Sequence, residues 1–124
     1  MPFTKGSVAD ALATILVTDT DADADAEDNV TGNSSGLVYC VYGKGAGQNA
    51  PVYIKTAYTA NATSSSTVPD NIYYVPLGKT VSYIAELGHA YTTGLSVWAT
   101  VTTASATAQT EPSGGEMTVR ILAT

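Results

Sequence analysis

The sequence predicts an all-β protein: a single antiparallel β-sandwich or small barrel, preceded by an N-terminal arm or short helix. Three observations carry this. Several short segments alternate apolar and polar residues, or run apolar for about six residues, as strands do. Clusters of Gly, Pro, Ser and Asn punctuate them at sandwich-like spacing. At 124 residues, the length suits one domain with one core.

The elements follow in order. Residues 1–18 carry mixed signals. Ser7 and Asp10 form an approximate capping box, and Ala9, Ala11 and Ala13 favour helix, whereas Thr14–Thr18 (TILVT) favours strand. The reading is a short helix or extended arm running into a strand at Ala13–Val17, with an arm able to dock on a neighbouring subunit. Residues 19–35, TDADADAEDNVTGNSS with its flanking Asp19, hold no aromatic and only Val30 as a sizeable apolar side chain. Such a stretch cannot order itself by burial, so an acidic flexible loop is expected.

Residues 36–124 are expected to form the β-sandwich core. Leu37–Tyr42 (LVYCVY) reads as a strand buried on both faces, with Cys40 as a buried, inert thiol. Val52–Tyr58 alternates, with Val52, Ile54, Thr56 and Tyr58 on the inward face. Asn71–Val75 is a strand stopped by Pro76. Thr80–Ala85 and Leu95–Val101 read as a pair of antiparallel strands joined through Gly88, His89 and Gly94. A polar loop at 103–115 precedes a closing strand, Glu116–Ala123, with Met117, Val119 and Ile121 sharing one face.

Composition narrows the function. Charged residues make up 13% of the chain, about half the usual ~25%. The net charge is −6, and six of the eleven acids lie between Asp19 and Asp28. The five basic residues, Lys5, Lys44, Lys55, Lys79 and Arg120, are scattered, which argues against nucleic-acid binding. No run approaches the ~18 apolar residues of a membrane span, and the opening residues lack a signal peptide's apolar stretch. Synthesis in a host cytoplasm is expected, with assembly into a particle as one route onward.

No motif specifies chemistry. Counting a calcium loop from Asp19 puts Ala24 at the sixth position and Val30 at the twelfth, where Gly and Glu are required. His89 lies between Gly88 and Ala90 and reads as a turn residue. GKGAGQ (Gly43–Gln48) lacks the residues of a phosphate loop and reads as a hairpin or bulge turn. No catalytic residue, metal ligand or cofactor is expected. Aromatic residues supply the remaining candidates. Tyr73 and Tyr74 are neighbours and face opposite ways on a strand, so one faces outward. Trp98, on the face opposite Leu95, Val97 and Val101, is expected to point outward and anchor a partner. With Phe3, Val8 and Leu12 of the arm, these make the expected partner interface.

The run VYIKTAY (Val52–Tyr58), PLGKTVSYIAELGHAYTTGLSVWAT (Pro76–Thr100) and GGEMTVRIL (Gly114–Leu122) resembles the small β-sandwich proteins on the surface of tailed-bacteriophage particles, the capsid decoration or cement proteins. The resemblance covers residues 36–124 and supplies no catalytic residues. It implies a non-enzymatic virion protein that binds the major capsid protein on the outside of a phage head. It also implies a small homo-oligomer, with a trimer favoured. The alternative is a tail- or fibre-associated module that recognises a host glycan through Trp98 or a tyrosine.

Overall fold

The computed structural model describes residues 15–45, 47–103, 109–113 and 117–124. It is all-β, with seven antiparallel strands and no helix among the described residues. The strands are β1 (Ile15–Ala22), β2 (Gly36–Lys44), β3 (Val52–Ala57), β4 (Asn71–Val75), β5 (Thr80–Tyr91), β6 (Ser96–Thr100) and β7 (Met117–Ala123). They form two sheets, one of order β1-β7-β2-β5 and one of order β4-β3-β6. The arrangement is a small sandwich and not a closed barrel. The expected arm or short helix lies outside the described residues.

Alternation decides which side chains fill the space between the sheets. Met117, Val119, Ile121 and Ala123 of β7 are buried, while Arg120 and Leu122 are exposed. Val38 and Val41 of β2 meet Val52 and Ile54 of β3, Val75 of β4, and Leu95, Val97 and Ala99 in and before β6. The sheets approach closely at Gly43, where a Cβ would lie 2.6 Å from Ile54 Cδ1 and 2.8 Å from Val75 Cγ2. A side chain at that crossing would have to push these atoms aside. The Tyr91 hydroxyl pins one end of the core: it hydrogen-bonds the Thr124 carbonyl at 2.5 Å and shares a 2.7 Å contact with the Thr31 hydroxyl.

Four expectations are corrected. Thr80–Ala85 and Leu95–Val101 are not a pair: β5 pairs with β2 in one sheet, and β6 pairs with β3 in the other. The two segments are near in sequence, but Gly94, at φ 117°, helps carry the chain from sheet to sheet. His89 is therefore a strand residue registered against Val38, not a turn residue. The Gly43–Gln48 segment likewise links two sheets, since β2 and β3 do not pair with each other, so it is no hairpin. Finally, β2 is buried on one face only. Cys40 lies half-buried on the outer face, and the reading of a buried thiol gives way.

The segment 19–35, expected as one flexible loop, divides in two. Its first residues continue β1 as far as Ala22, paired with β7. The next residues lie along the free edge of β6. Glu27 and Val97 exchange backbone hydrogen bonds of 2.8 and 3.0 Å, the Ala99 N–H donates to the Asp23 carbonyl, and the Val30 N–H donates to the Leu95 carbonyl. Backbone pairing anchors a stretch whose side chains could not. Asp28 adds a tie by accepting from the Ala62 N–H at 2.8 Å and the Ser96 hydroxyl at 3.2 Å.

Candidate interaction surface

Among the described residues, nine large hydrophobic side chains are exposed, and six of them come from β4, β5 and the turn between these two edge strands: Ile72 and Tyr74 on the outer face of one sheet, Ile84 on the outer face of the other, and Leu77, Tyr83 and Leu87. Both strands are at sheet edges, so each has a paired strand on one side only.

A large bulge shapes β5. Val38 is registered with His89 and Cys40 with Ile84, so Tyr39 alone stands opposite the four residues Ala85–Gly88. The extra residues swing away from the ladder, and Leu87 at their tip is 91% exposed. Gly88 makes the return possible. It adopts φ 78°, and a Cβ there would sit 2.9 Å from Leu37 Cβ. A bulge of this kind interrupts an edge strand and blunts strand-to-strand aggregation, but an exposed leucine at its tip is itself a contact point.

The two edges meet through tyrosines. The Tyr83 hydroxyl donates to the Tyr74 carbonyl, and the Tyr73 and Tyr83 rings lie 5.3 Å apart. Beneath them is a cavity of about 230 Å³, bordered by Val41, Tyr73, Tyr83 and His89. Its described lining is apolar except for tyrosine and His89, with no carboxylate to pair with the imidazole. Burial pushes the Tyr73 phenol above its usual range.

The expected interface residues separate. Phe3, Val8 and Leu12 lie outside the described residues. Tyr74 is 43% exposed on the outer face of its sheet, tilted against Tyr53 with ring centres 5.4 Å apart. Tyr73 points the other way, half-buried between the sheets. Alternation thus put one of the pair outward, as it must.

Trp98 is a correction. It does lie on the face of β6 opposite Val97, but that face is covered, and Trp98 is only 1% exposed. Its registered neighbour on β3 is Lys55, which is fully buried. The Lys55 ammonium donates to the Thr102 carbonyl at 2.8 Å and to Gln109 Oε1, so the segments on either side of residues 104–108 close over it. Thr110 completes the roof by accepting from the Val101 N–H. Burial holds the Lys55 ammonium below the usual lysine range. The indole Nε1 of Trp98 is buried with no hydrogen-bond partner among the described residues. Trp98 is a structural side chain, not a surface anchor.

The acidic residues also regroup. Asp23 and Asp25 come together with Glu111, their carboxylate oxygens within 4.8 Å of one another. Sequence spacing could not bring Glu111 to them. Asp19 and Asp23 are already used locally, each accepting from the backbone N–H two residues on, at 3.0 Å.

No protein-family model matches this chain, and no curated protein or solved structure is detectably similar to it.

Proposed function

We propose that this chain is a non-enzymatic virion structural protein: a capsid decoration or cement protein that binds the outer surface of a phage head and stabilises it. The observation that carries the proposal is that six of the nine exposed large apolar side chains among the described residues belong to the edge strands β4 and β5 and the turn between them, with Leu87 held out on the bulge. Such exposure suits a protein partner better than water. The resemblance of residues 36–124 to decoration proteins supports a capsid as that partner, with the major capsid protein as the contacted subunit. A homo-oligomer, a trimer by preference, repeats a modest surface many times over a shell, and avidity makes up for a weak single contact.

The test is cosedimentation of purified protein with expanded phage heads that lack a decoration layer, read together with the melting temperature of the heads. Wild-type protein is expected to bind and raise that temperature. The Leu87→Asp variant, which changes an exposed side chain, should fold normally and lose most of the binding. Full binding by Leu87→Asp would remove the bulge from the argument, and no binding by wild type would overturn the proposal.

A second reading, a tail- or fibre-associated glycan-binding module, keeps one supporting feature. Tyr74, exposed and braced by Tyr53, offers a ring for stacking on a sugar, a role Trp98 can no longer fill. Specific hits on a glycan array that disappear in Tyr74→Ala would favour it.

A further inference from the structure

The outer face of the four-stranded sheet carries an apolar row that crosses every strand at one register. Leu16 of β1 is paired with Leu122 of β7, Leu122 with Cys40 of β2, and Cys40 with Ile84 of β5. Leu16 is 62% exposed, Leu122 37% and Ile84 73%, and Cys40 is half-buried. The next row on the same face is polar: Thr18, Arg120, Tyr42 and Ser82, with the Arg120 guanidinium 5.2 Å from the centre of the Tyr42 ring. An apolar strip bounded by a polar one is a shaped surface and not scattered exposure.

We propose that residues 1–14 of the same chain lie across this row and cover its Leu16–Leu122–Cys40 part. Three facts select this occupant. The segment joins the described chain at Ile15, one residue before Leu16, so it is tethered at the end of the row. A tether this short holds the segment at an effective concentration on the order of millimolar, which a separate copy reaches only in concentrated solution. Four strands about 4.8 Å apart make the row roughly 15 Å long. Fourteen residues reach roughly 45 Å extended or roughly 20 Å as helix, so the row is spanned even after a reversal at the tether. Last, the segment supplies Phe3, Val8 and Leu12 with only Lys5 and Asp10 charged, which suits a strip that holds no charged residue. The proposal stands whether or not the protein binds a shell.

Cys40 provides the assay, because it is the only cysteine and lies in the row. The rate of its reaction with an aromatic disulfide reagent is measured for the full chain and for a variant lacking residues 1–14. Each rate is divided by that of the same protein in denaturant. A segment in place nine-tenths of the time slows the reaction roughly tenfold, independently of protein concentration. The deletion, and Leu12→Asp in the intact chain, should each restore the fast rate with the same far-ultraviolet circular dichroism. Equal rates with and without the segment would overturn the proposal. So would protection that disappears on dilution, which would assign the row to a second copy. If the deletion variant fails to fold, Leu12→Asp decides by the same criterion.

Discussion

Replacing Trp98 separates a structural indole from a surface anchor. The side chain is 1% exposed and lies beside the buried Lys55 on a roofed face. Truncating a fully buried tryptophan to alanine costs about 3–5 kcal/mol, against a total stability of about 5–15 kcal/mol for a domain. At this chain length each kcal/mol moves the melting temperature by about 3–5 °C, so Trp98→Ala should melt about 10–20 °C lower. Trp98→Phe is the informative partner. It gives up part of the ring, but it also removes a buried N–H that has no acceptor, a group whose stranding costs about 1–3 kcal/mol. The two effects oppose, so Trp98→Phe should stay within about 1 kcal/mol of wild type. Thermal unfolding followed by circular dichroism gives both numbers. Because Trp98 is the only tryptophan, its fluorescence is a direct second readout. Emission should be blue-shifted and resistant to iodide quenching in the native protein, and both properties should vanish in denaturant. A Trp98→Ala variant melting within about 2 °C of wild type, or free access of iodide to the native indole, would refute the buried assignment.

Other outcomes follow from the packing and the titrating groups. Gly43→Ala places a methyl against Ile54 and Val75 and should cost about 1–3 kcal/mol by overpacking. Ile54→Val, which removes the nearest atom, should cost less in that background than in wild type; additivity of the two in urea unfolding would refute a direct clash. Lys55 has its native pKa lowered by burial, so the unfolded chain binds more protons between that native value and 10.5, and stability rises with pH through that window. Tyr58 and Tyr73 act oppositely. Burial raises both phenols, the unfolded chain ionises first, and stability falls as pH climbs above 10.0. Urea midpoints from about pH 8 to about pH 11 should lose the rising component in Lys55→Met and keep the falling one; an unchanged profile would remove Lys55 as its source.

What the sequence determined alone is local. Period-two alternation located most of the strands, placed Asn71–Val75 to the residue, and set Met117, Val119 and Ile121 on the buried face, because side-chain direction in a strand depends only on position along it. It also put Trp98 and Val97 on opposite faces, and Tyr73 and Tyr74 likewise. The tertiary structure decided what lies against each face and which strands pair. Those partners are distant in sequence: β2 meets β7 across more than seventy residues, and Lys55 meets Gln109 across 54. Alternation could say that Trp98 turns away from Val97, but only the fold brings a roof over it. Composition could say that residues 19–35 bury little, but not that their backbone satisfies the open edge of β6. The exposed apolar residues of β4 and β5 and the Leu16–Leu122–Cys40–Ile84 row exist only in register, and one residue of slip would turn each side chain to the other face.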